Sequence, residues 1–311
     1  MYERMQRYVL GFLFFSLFCL GCNKKSTEPE QEIIPLDGRG GGVIAYCYQP
    51  ITGEFDHQIY GINADGSGNT RLIQADIGLN HHDWSPNGQR LAAVGYVNSS
   101  TWSIYVFNAD GTQLTRLTTT NFVNDSEPNW SPDGSQIVFT RIYPNQNDRT
   151  EIWVMGADGG NQRYIGIEGF AAKWSPDGSH FIYQSSFSGS SDLYTCDVDG
   201  SNVQQLTATA STEINPVYSP DGAQIAYTTD RDGNHEIYIM NADGSNPRRV
   251  TNHAFDDYTP RWSSDGTLIT FDSGPWSEWE VYTIHADGMN MRQVTDSPAN
   301  ITAINPVWQP E

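Results

Sequence analysis

Apolar and aromatic residues along the chain gather in short runs, separated by polar stretches rich in Gly, Pro, Asn and Asp. One stretch shows the arrangement: residues 128–130, 136–141, 151–155 and 162–165 form four β-type runs, each too short for a helix. Pro-Asp-Gly stands between the first two runs and Ala-Asp-Gly between the last two. Proline presets φ, aspartate bonds its own backbone and glycine takes a positive φ, so both links read as tight hairpin turns. Abundant Gly, Pro and aromatic residues fit many short strands, and long helices are not expected.

The pattern repeats to the C-terminus. Trp84-Ser-Pro-Asn-Gly88, Trp130-Ser-Pro-Asp-Gly134, Trp174-Ser-Pro-Asp-Gly178, Tyr218-Ser-Pro-Asp-Gly222 and Trp262-Ser-Ser-Asp-Gly266 recur at steps of 46, 44, 44 and 44 residues, and Trp308 follows after another 46. Ile59-Tyr60, Ile104-Tyr105, Ile152-Trp153, Leu193-Tyr194, Ile237-Tyr238 and Val281-Tyr282 run in phase, each shortly before an Asp-Gly. A third signal (Arg71-Leu-Ile, Arg116-Leu-Thr, Arg163-Tyr-Ile, Gln205-Leu-Thr, Arg249-Val-Thr, Gln293-Val-Thr) also occurs six times. Four-stranded antiparallel units with a period of about 44 residues predict an all-β fold, a β-propeller.

Counting gives six blades over residues 43–311. The repeat begins at Val43 on a second strand and ends at Trp308 on a first strand, so the C-terminal strand is expected to complete blade 1 and leave no free edge. Cys47 then falls on blade 1 and Cys196 on blade 4, across the ring and beyond the roughly 7 Å reach of a disulfide. Two separate buried thiols are expected.

The first residues read as an address. Arg4 and Arg7 precede an apolar stretch over 8–21, which is shorter than the about 20 residues a membrane-spanning helix needs, and Cys22 follows. Gly21-Cys22 resembles the lipobox of bacterial lipoproteins, with Cys19 and Leu20 ahead of it. The resemblance implies a signal peptide over 1–21, lipidation of Cys22, and, with Asn23 rather than Asp following, an outer-membrane location on the periplasmic or surface side. Residues 22–42 have no apolar period and read as the lipidated cysteine and a flexible tether.

Charge narrows the partners. Seventeen Lys and Arg against 37 Asp and Glu give a net charge of −20, with Lys24, Lys25 and Lys173 the only lysines. Phosphate backbones and anionic headgroups would repel such a surface, so nucleic acid is excluded as a partner and the membrane is reached through the lipid alone.

The Trp-Ser-Pro-Asp-Gly, Ile-Tyr and Asp-Gly…Leu-Thr units resemble the Tol-Pal type propeller repeat, found in TolB and in many bacterial lipoproteins. The same repeat resembles propeller domains of prolyl-oligopeptidase-like enzymes and of oligogalacturonate lyase. TolB carries an N-terminal α/β domain; here residues 22–42 stand in its place, so translocation and colicin roles are not carried over.

Strand direction places the short repetitive turns on one face and the variable loops on the other, where function usually resides. Three residues before each motif aromatic stand His81, Glu127, Ala171, Asn215, Thr259 and Asn305; five before stand Leu79, Asp125, Gly169, Glu213, Asp257 and Ala303. His81, Glu127, Asn215 and Asn305, with Asp125, Glu213 and Asp257 above them, are the candidate partner-binding mouth of the central channel. A cation could be held there by oxygen and imidazole ligands, although solvated polar residues are common at such mouths and no cofactor is expected. His81 and His82 would point to opposite sides of an extended strand. Tyr143, Phe187 and Trp276, with Phe55, are candidate rim aromatics. The repeated Asp-Gly turns lack the density of acids of a calcium loop.

There is no Gly-x-Ser-x-Gly elbow, His-Glu-x-x-His pair or phosphate-binding loop. The sequence therefore points to a non-catalytic, lipid-anchored envelope scaffold, a monomer, which binds an envelope protein on its variable face and answers the −20 charge with basic residues or a bound cation. A metal-assisted uronate lyase near His81 and Glu127, or a glycan-binding module, is the alternative.

Overall fold

The computed structural model describes residues 42–50, 57–98, 101–187, 189–275 and 278–310. They form six four-stranded antiparallel sheets. Blade 1 contains β1 (Val43–Pro50), β2 (Gln58–Asn63) and β3 (Thr70–Arg71). Blade 2 is β4 (Leu79–Trp84), β5 (Arg90–Asn98), β6 (Thr101–Asn108) and β7 (Thr115–Arg116). Blade 3 is β8 (Asn124–Trp130), β9 (Gln136–Tyr143), β10 (Arg149–Gly156) and β11 (Arg163–Glu168). Blade 4 is β12 (Phe170–Trp174), β13 (His180–Ser185), β14 (Asp192–Asp197) and β15 (Gln204–Gln205). Blade 5 is β16 (Glu213–Tyr218), β17 (Gln224–Thr229), β18 (Glu236–Asn241) and β19 (Arg248–Arg249). Blade 6 is β20 (Asp256–Trp262), β21 (Leu268–Gly274), β22 (Glu280–His285) and β23 (Arg292–Gln293). The last strand, β24 (Ile301–Trp308), pairs antiparallel with β1 and completes blade 1, so the first and last strands of the ring share one sheet. This is the expected six-bladed ring with its C-terminal closure.

Each blade has no core of its own. The buried apolar residues divide into six clusters, and each joins two neighbouring blades. Trp130 of blade 3 packs against Ala92, Val94, Ile104 and Val106 of blade 2, and Trp174 of blade 4 against Val138, Ile152 and Val154 of blade 3. Each such indole buries on the order of 200 Å², which is why the aromatic recurs once per blade.

The other repeated residues are turn and clamp chemistry. In the turn after β8, Ser131 Oγ donates to Asp133 Oδ1 at 2.6 Å, Ser135 N donates to the same oxygen at 3.0 Å, and Gln136 N donates to Ser131 Oγ at 2.9 Å. Gly200, in the turn between β14 and β15, has φ +86° and approaches blade 3 so closely that a Cβ would lie 1.9 Å from the Ile165 carbonyl oxygen. The Arg-x-Thr signal, present in full in blades 2 and 5, ties the short outer strand inward. Arg116 Nε donates to the Thr118 carbonyl at 2.7 Å, its Nη2 reaches Ser103 Oγ at 2.9 Å, and Thr118 Oγ1 accepts the Ile104 amide at 3.0 Å.

Cys47 on β1 and Cys196 on β14 are both free and buried. Deleting Ile301–Trp308 would leave β1 paired only with β2, with its inner edge free, and expose Ile44 and Tyr46. The truncated chain is expected to elute as higher-mass species than the intact chain in size-exclusion chromatography with light scattering, and an unchanged mass would contradict closure by β24.

Candidate functional site

The six innermost strands meet one another in turn around the axis. Each carries one irregularity at the same repeat position. The ladder slips there, and His81, Glu127, Ala171, Asn215, Thr259 and Asn305 take φ values of 39°, 51°, 54°, 53°, 51° and 54°. Left-handed backbone is uncommon outside glycine and unusual for a β-branched residue such as Thr259, so a sixfold bulge is a designed feature of the ring. The bulge turns a backbone amide toward the preceding blade. Ala171 N donates to Thr140 Oγ1 at 3.1 Å, Asn215 N to Gln184 Oε1 at 2.8 Å, and Asn305 N to Asp272 Oδ1 at 3.2 Å.

Side chains at and beside the bulges link the strands across the channel. His81 Nε2 lies 3.3 Å from Glu127 Oε1, and Lys173 Nζ lies 3.6 Å from Glu127 Oε2, so one carboxylate joins blades 2, 3 and 4. Burial alone would push the Glu127 carboxyl up, but His81, Lys173 and Arg261 together hold it below its ordinary value. Burial lowers Lys173, with Arg261 adding to the effect, and also lowers His81. One layer further along the axis, Asp83 Oδ2 accepts Asn129 Nδ2 and the Trp130 amide, both at 2.8 Å, while Asn129 Oδ1 accepts the Trp174 amide at 2.9 Å. Asn305 Nδ2 donates to Asn80 Oδ1 at 2.9 Å. The two adjacent histidines part company: His81 faces Glu127, whereas His82 is buried near the Ala45 backbone and is pushed down to about 3 by burial. Among the described residues no group of three or more His, Cys, Asp or Glu is placed to hold a metal ion.

The acids expected above this ring are arranged differently. Asp125, Glu213 and Asp257 are all buried, and they turn into their own blades instead of standing free at the mouth. Asp125 receives Arg141 through Nε at 2.7 Å and Nη2 at 3.1 Å, and the Arg141 guanidinium lies 4.3 Å from the centre of the Trp153 ring. Glu213 accepts Thr209 Oγ1 at 2.7 Å and Thr229 Oγ1 at 3.2 Å, with Arg231 at 3.3 Å. Asp257 lies against Thr251, Ser273 and Glu236, with His253 Nε2 at 3.2 Å. Its carboxyl is pushed up to about 8, first by burial and then by the neighbouring Glu236. The physical reason is the residue's place on the strand: five positions before the aromatic, each acid stands beside its cross-strand partner on the second strand of its own sheet, Asp125 opposite Arg141, Glu213 opposite Thr229 and Asp257 opposite Ser273.

The rim residues also separate. Phe187, between β13 and β14, is 95% exposed. Tyr143 is partly buried, because its hydroxyl donates to Glu151 Oε2 at 2.8 Å and Arg149 stacks on its ring at 4.9 Å. Phe55, Trp276 and Cys22 lie outside the described residues. A residue not singled out in the sequence joins Phe187 on the variable face: Phe122, just before β8, is 83% exposed and holds φ at 64°. Its signal was a single aromatic inside Thr-Thr-Thr-Asn-Phe-Val-Asn, a loop where no apolar period calls for one.

Two stability experiments test this account of the acids. Removing Arg141 as Arg141→Ala leaves Asp125 buried and unpaired, and should destabilise the chain by about 3–5 kcal/mol in urea unfolding at pH 7; a loss below about 1 kcal/mol would mean that the pair is not what holds Asp125. Asp257 titrates at a higher pH in the folded chain than in the unfolded one, so its contribution is complete below pH about 4 and is lost as pH rises through about 8. Asp257→Asn should therefore stabilise the chain at pH 8 and have little effect near pH 4.5 in urea unfolding, and an equal effect at both would refute the buried neutral carboxyl.

Comparisons with known proteins agree with this geometry. Residues 67–172 and 168–311 match the TolB beta propeller domain family. The Tol-Pal system protein TolB of Alcanivorax borkumensis is 27% identical over 84 residues, which span 27% of this chain and only 19% of that relative. The crystal structure of TolB from Acinetobacter baumannii superposes with a TM-score of 0.76 at 21% identity, covering 87% of this chain and 67% of the other. A structure described as a TolB of Agrobacterium tumefaciens superposes at 0.65 and 22% identity, covering 88% of this chain and all of the other. With the family match spanning more than half of its length, the chain belongs to the TolB beta propeller domain family.

Proposed function

We propose that this protein is a non-catalytic, lipid-anchored scaffold of the cell envelope which holds a partner protein on the variable face of its propeller. The observation that carries the reading is the pair Phe187 and Phe122, 95% and 83% exposed on that face. Aromatic rings left in water are enriched where a partner later covers them, and Phe122 keeps its position in a backbone conformation that a bulky residue rarely adopts. The rigid ring beneath supports such a role, since a preorganised surface orders little on binding. Similarity to a Tol-Pal system protein supports an envelope location, and Gly21-Cys22 supports export with acylation of Cys22. The channel ring of His81, Glu127, Asn215 and Asn305 belongs to the same proposed docking face, at its centre.

A photo-crosslinking residue placed at Phe122 or Phe187 in the native envelope should give the same discrete adduct. The same residue at Asp133, on the opposite face, should not give it, and Phe122→Ala combined with Phe187→Ala should cut capture at a neighbouring site about tenfold. Equal adducts from both faces, or none from the variable face, would defeat the proposal. In parallel, Cys22→Ser should move the protein from the membrane to the soluble fraction.

A further inference from the structure

The residue just before each motif aromatic stands on an innermost strand, and from blade 1 to blade 6 these residues are Val307, Asp83, Asn129, Lys173, Val217 and Arg261. Their side chains reach across blades, as the bond from Asn129 Nδ2 to Asp83 Oδ2 shows. Two of them are cations in a chain with a net charge of −20, and Lys173 is the one lysine beyond residue 25. It is buried nonetheless.

The polar members of this layer are paired, with one exception. Asp83 is bonded to Asn129 and to the Trp130 amide, Asn129 accepts the Trp174 amide, and Lys173 meets Glu127. Arg261 has a valine on either side of it in the ring, Val217 and Val307, and Asn129 opposite. It is half-buried, and among the described residues its guanidinium bonds only to the Pro260 carbonyl of its own strand, through Nη1 at 2.9 Å. The ion pairs of the described arginines belong to Arg141, Arg149, Arg231 and Arg249. Burial is the larger influence on His81, His82, Asp83, Glu127, Lys173 and Asp272, yet the positive charge of Arg261 acts on all six, from blades 2, 3, 4 and 6, which sets it toward the channel axis.

A guanidinium carries five donors in a planar fork and stays charged in a protein. Here most of those donors are unused, in a partly enclosed space with a second cation in the same layer. We propose that this layer of the channel binds a small monocarboxylate, held by the fork of Arg261 and by the Lys173 ammonium. The fork matches a planar carboxylate through two parallel hydrogen bonds. Asp83, Glu127 and Asp272 lie within reach of the same guanidinium and repel further negative charge, so a ligand with one charge is favoured over a ligand with two. The site lies inside the ring and needs no partner protein, so it stands or falls apart from the function proposed above.

The test is a titration of the full chain with acetate in low-salt buffer without chloride, read by saturation-transfer NMR on the acetate methyl group. Saturable binding is expected. Arg261→Val introduces the residue of Val217 and Val307 at the same repeat position, so the ring should still fold, and binding should weaken about tenfold or more. Arg261→Gln keeps a polar side chain there as a second variant and should have the same effect. Arg248→Gln removes an equal charge from the exposed end of β19 and should leave binding unchanged. Formate should displace acetate at a lower concentration than succinate does. No saturable binding, undiminished binding in either Arg261 variant, or an equal loss in Arg248→Gln would overturn the site, and stronger displacement by succinate would overturn its preference for a single charge.

Discussion

Every blade of this propeller depends on its neighbours for a core. A four-stranded sheet buries one face against the blade before it and the other against the blade after it, and the six apolar clusters all lie in seams. An open chain of five seams would leave two apolar faces and a free strand edge in water. Pairing of β24 with β1 removes both at once: Ile44, Tyr46, Ala303 and Trp308 fill the seam between blades 6 and 1, and Ala45 and Val307 join the seam between blades 1 and 2. Closure couples the two ends of the sequence, so the stability of any one blade is a property of the whole ring.

Closure also explains the strained positions. Six innermost strands converging on an axis cannot all continue as regular ladders, and the bulge at His81, Glu127, Ala171, Asn215, Thr259 and Asn305 bends each strand where crowding is greatest. The amides released by three of these bulges are taken up by Thr140, Gln184 and Asp272 of the preceding blade, so the irregularity itself becomes an inter-blade bond. Because position, not side-chain type, sets the bulge, the side chains there are free to differ. That freedom is what allows His81, Glu127 and Lys173 to form a charged bridge across three blades.

The architecture was legible because the scaffold chemistry is repeated: turn aspartates, seam tryptophans and the clamp of Arg116 and Thr118 each recur with their spacing. Blade number, strand order, closure and the two separate thiols follow from that spacing alone. The surroundings of Asp125, Glu213 and Asp257 do not, since counting from the aromatic locates a residue on its strand but does not say which partner awaits it across the sheet. Asp125 meets Arg141, Glu213 meets Arg231, and Asp257 meets another acid, Glu236. Blade 3 shows the same limit from the other side. Ile165-Gly166-Ile167 replaces the Leu-Thr signal, β11 lengthens to Arg163–Glu168, and Glu151, deprived of a threonine, is satisfied by Tyr143, Trp153 and Arg149.

These pairings change the meaning of the net charge. The aspartates of the repeated turns, such as Asp65, Asp110, Asp133, Asp177, Asp199, Asp221, Asp243 and Asp265, all lie on the repetitive-turn face and are held ionised by hydrogen bonds from their own turns. On the opposite face Asp125 and Glu213 are matched by arginine and Asp257 is held neutral, so a charge of −20 for the whole chain overstates what that face presents. The two faces therefore select by different physics. Ionised turn carboxylates favour cations on one side, and a less charged surface with Phe122 and Phe187 favours apolar contact on the other. For the partner proposed at the variable face, basic residues are then no requirement; a pocket able to cover an aromatic ring is.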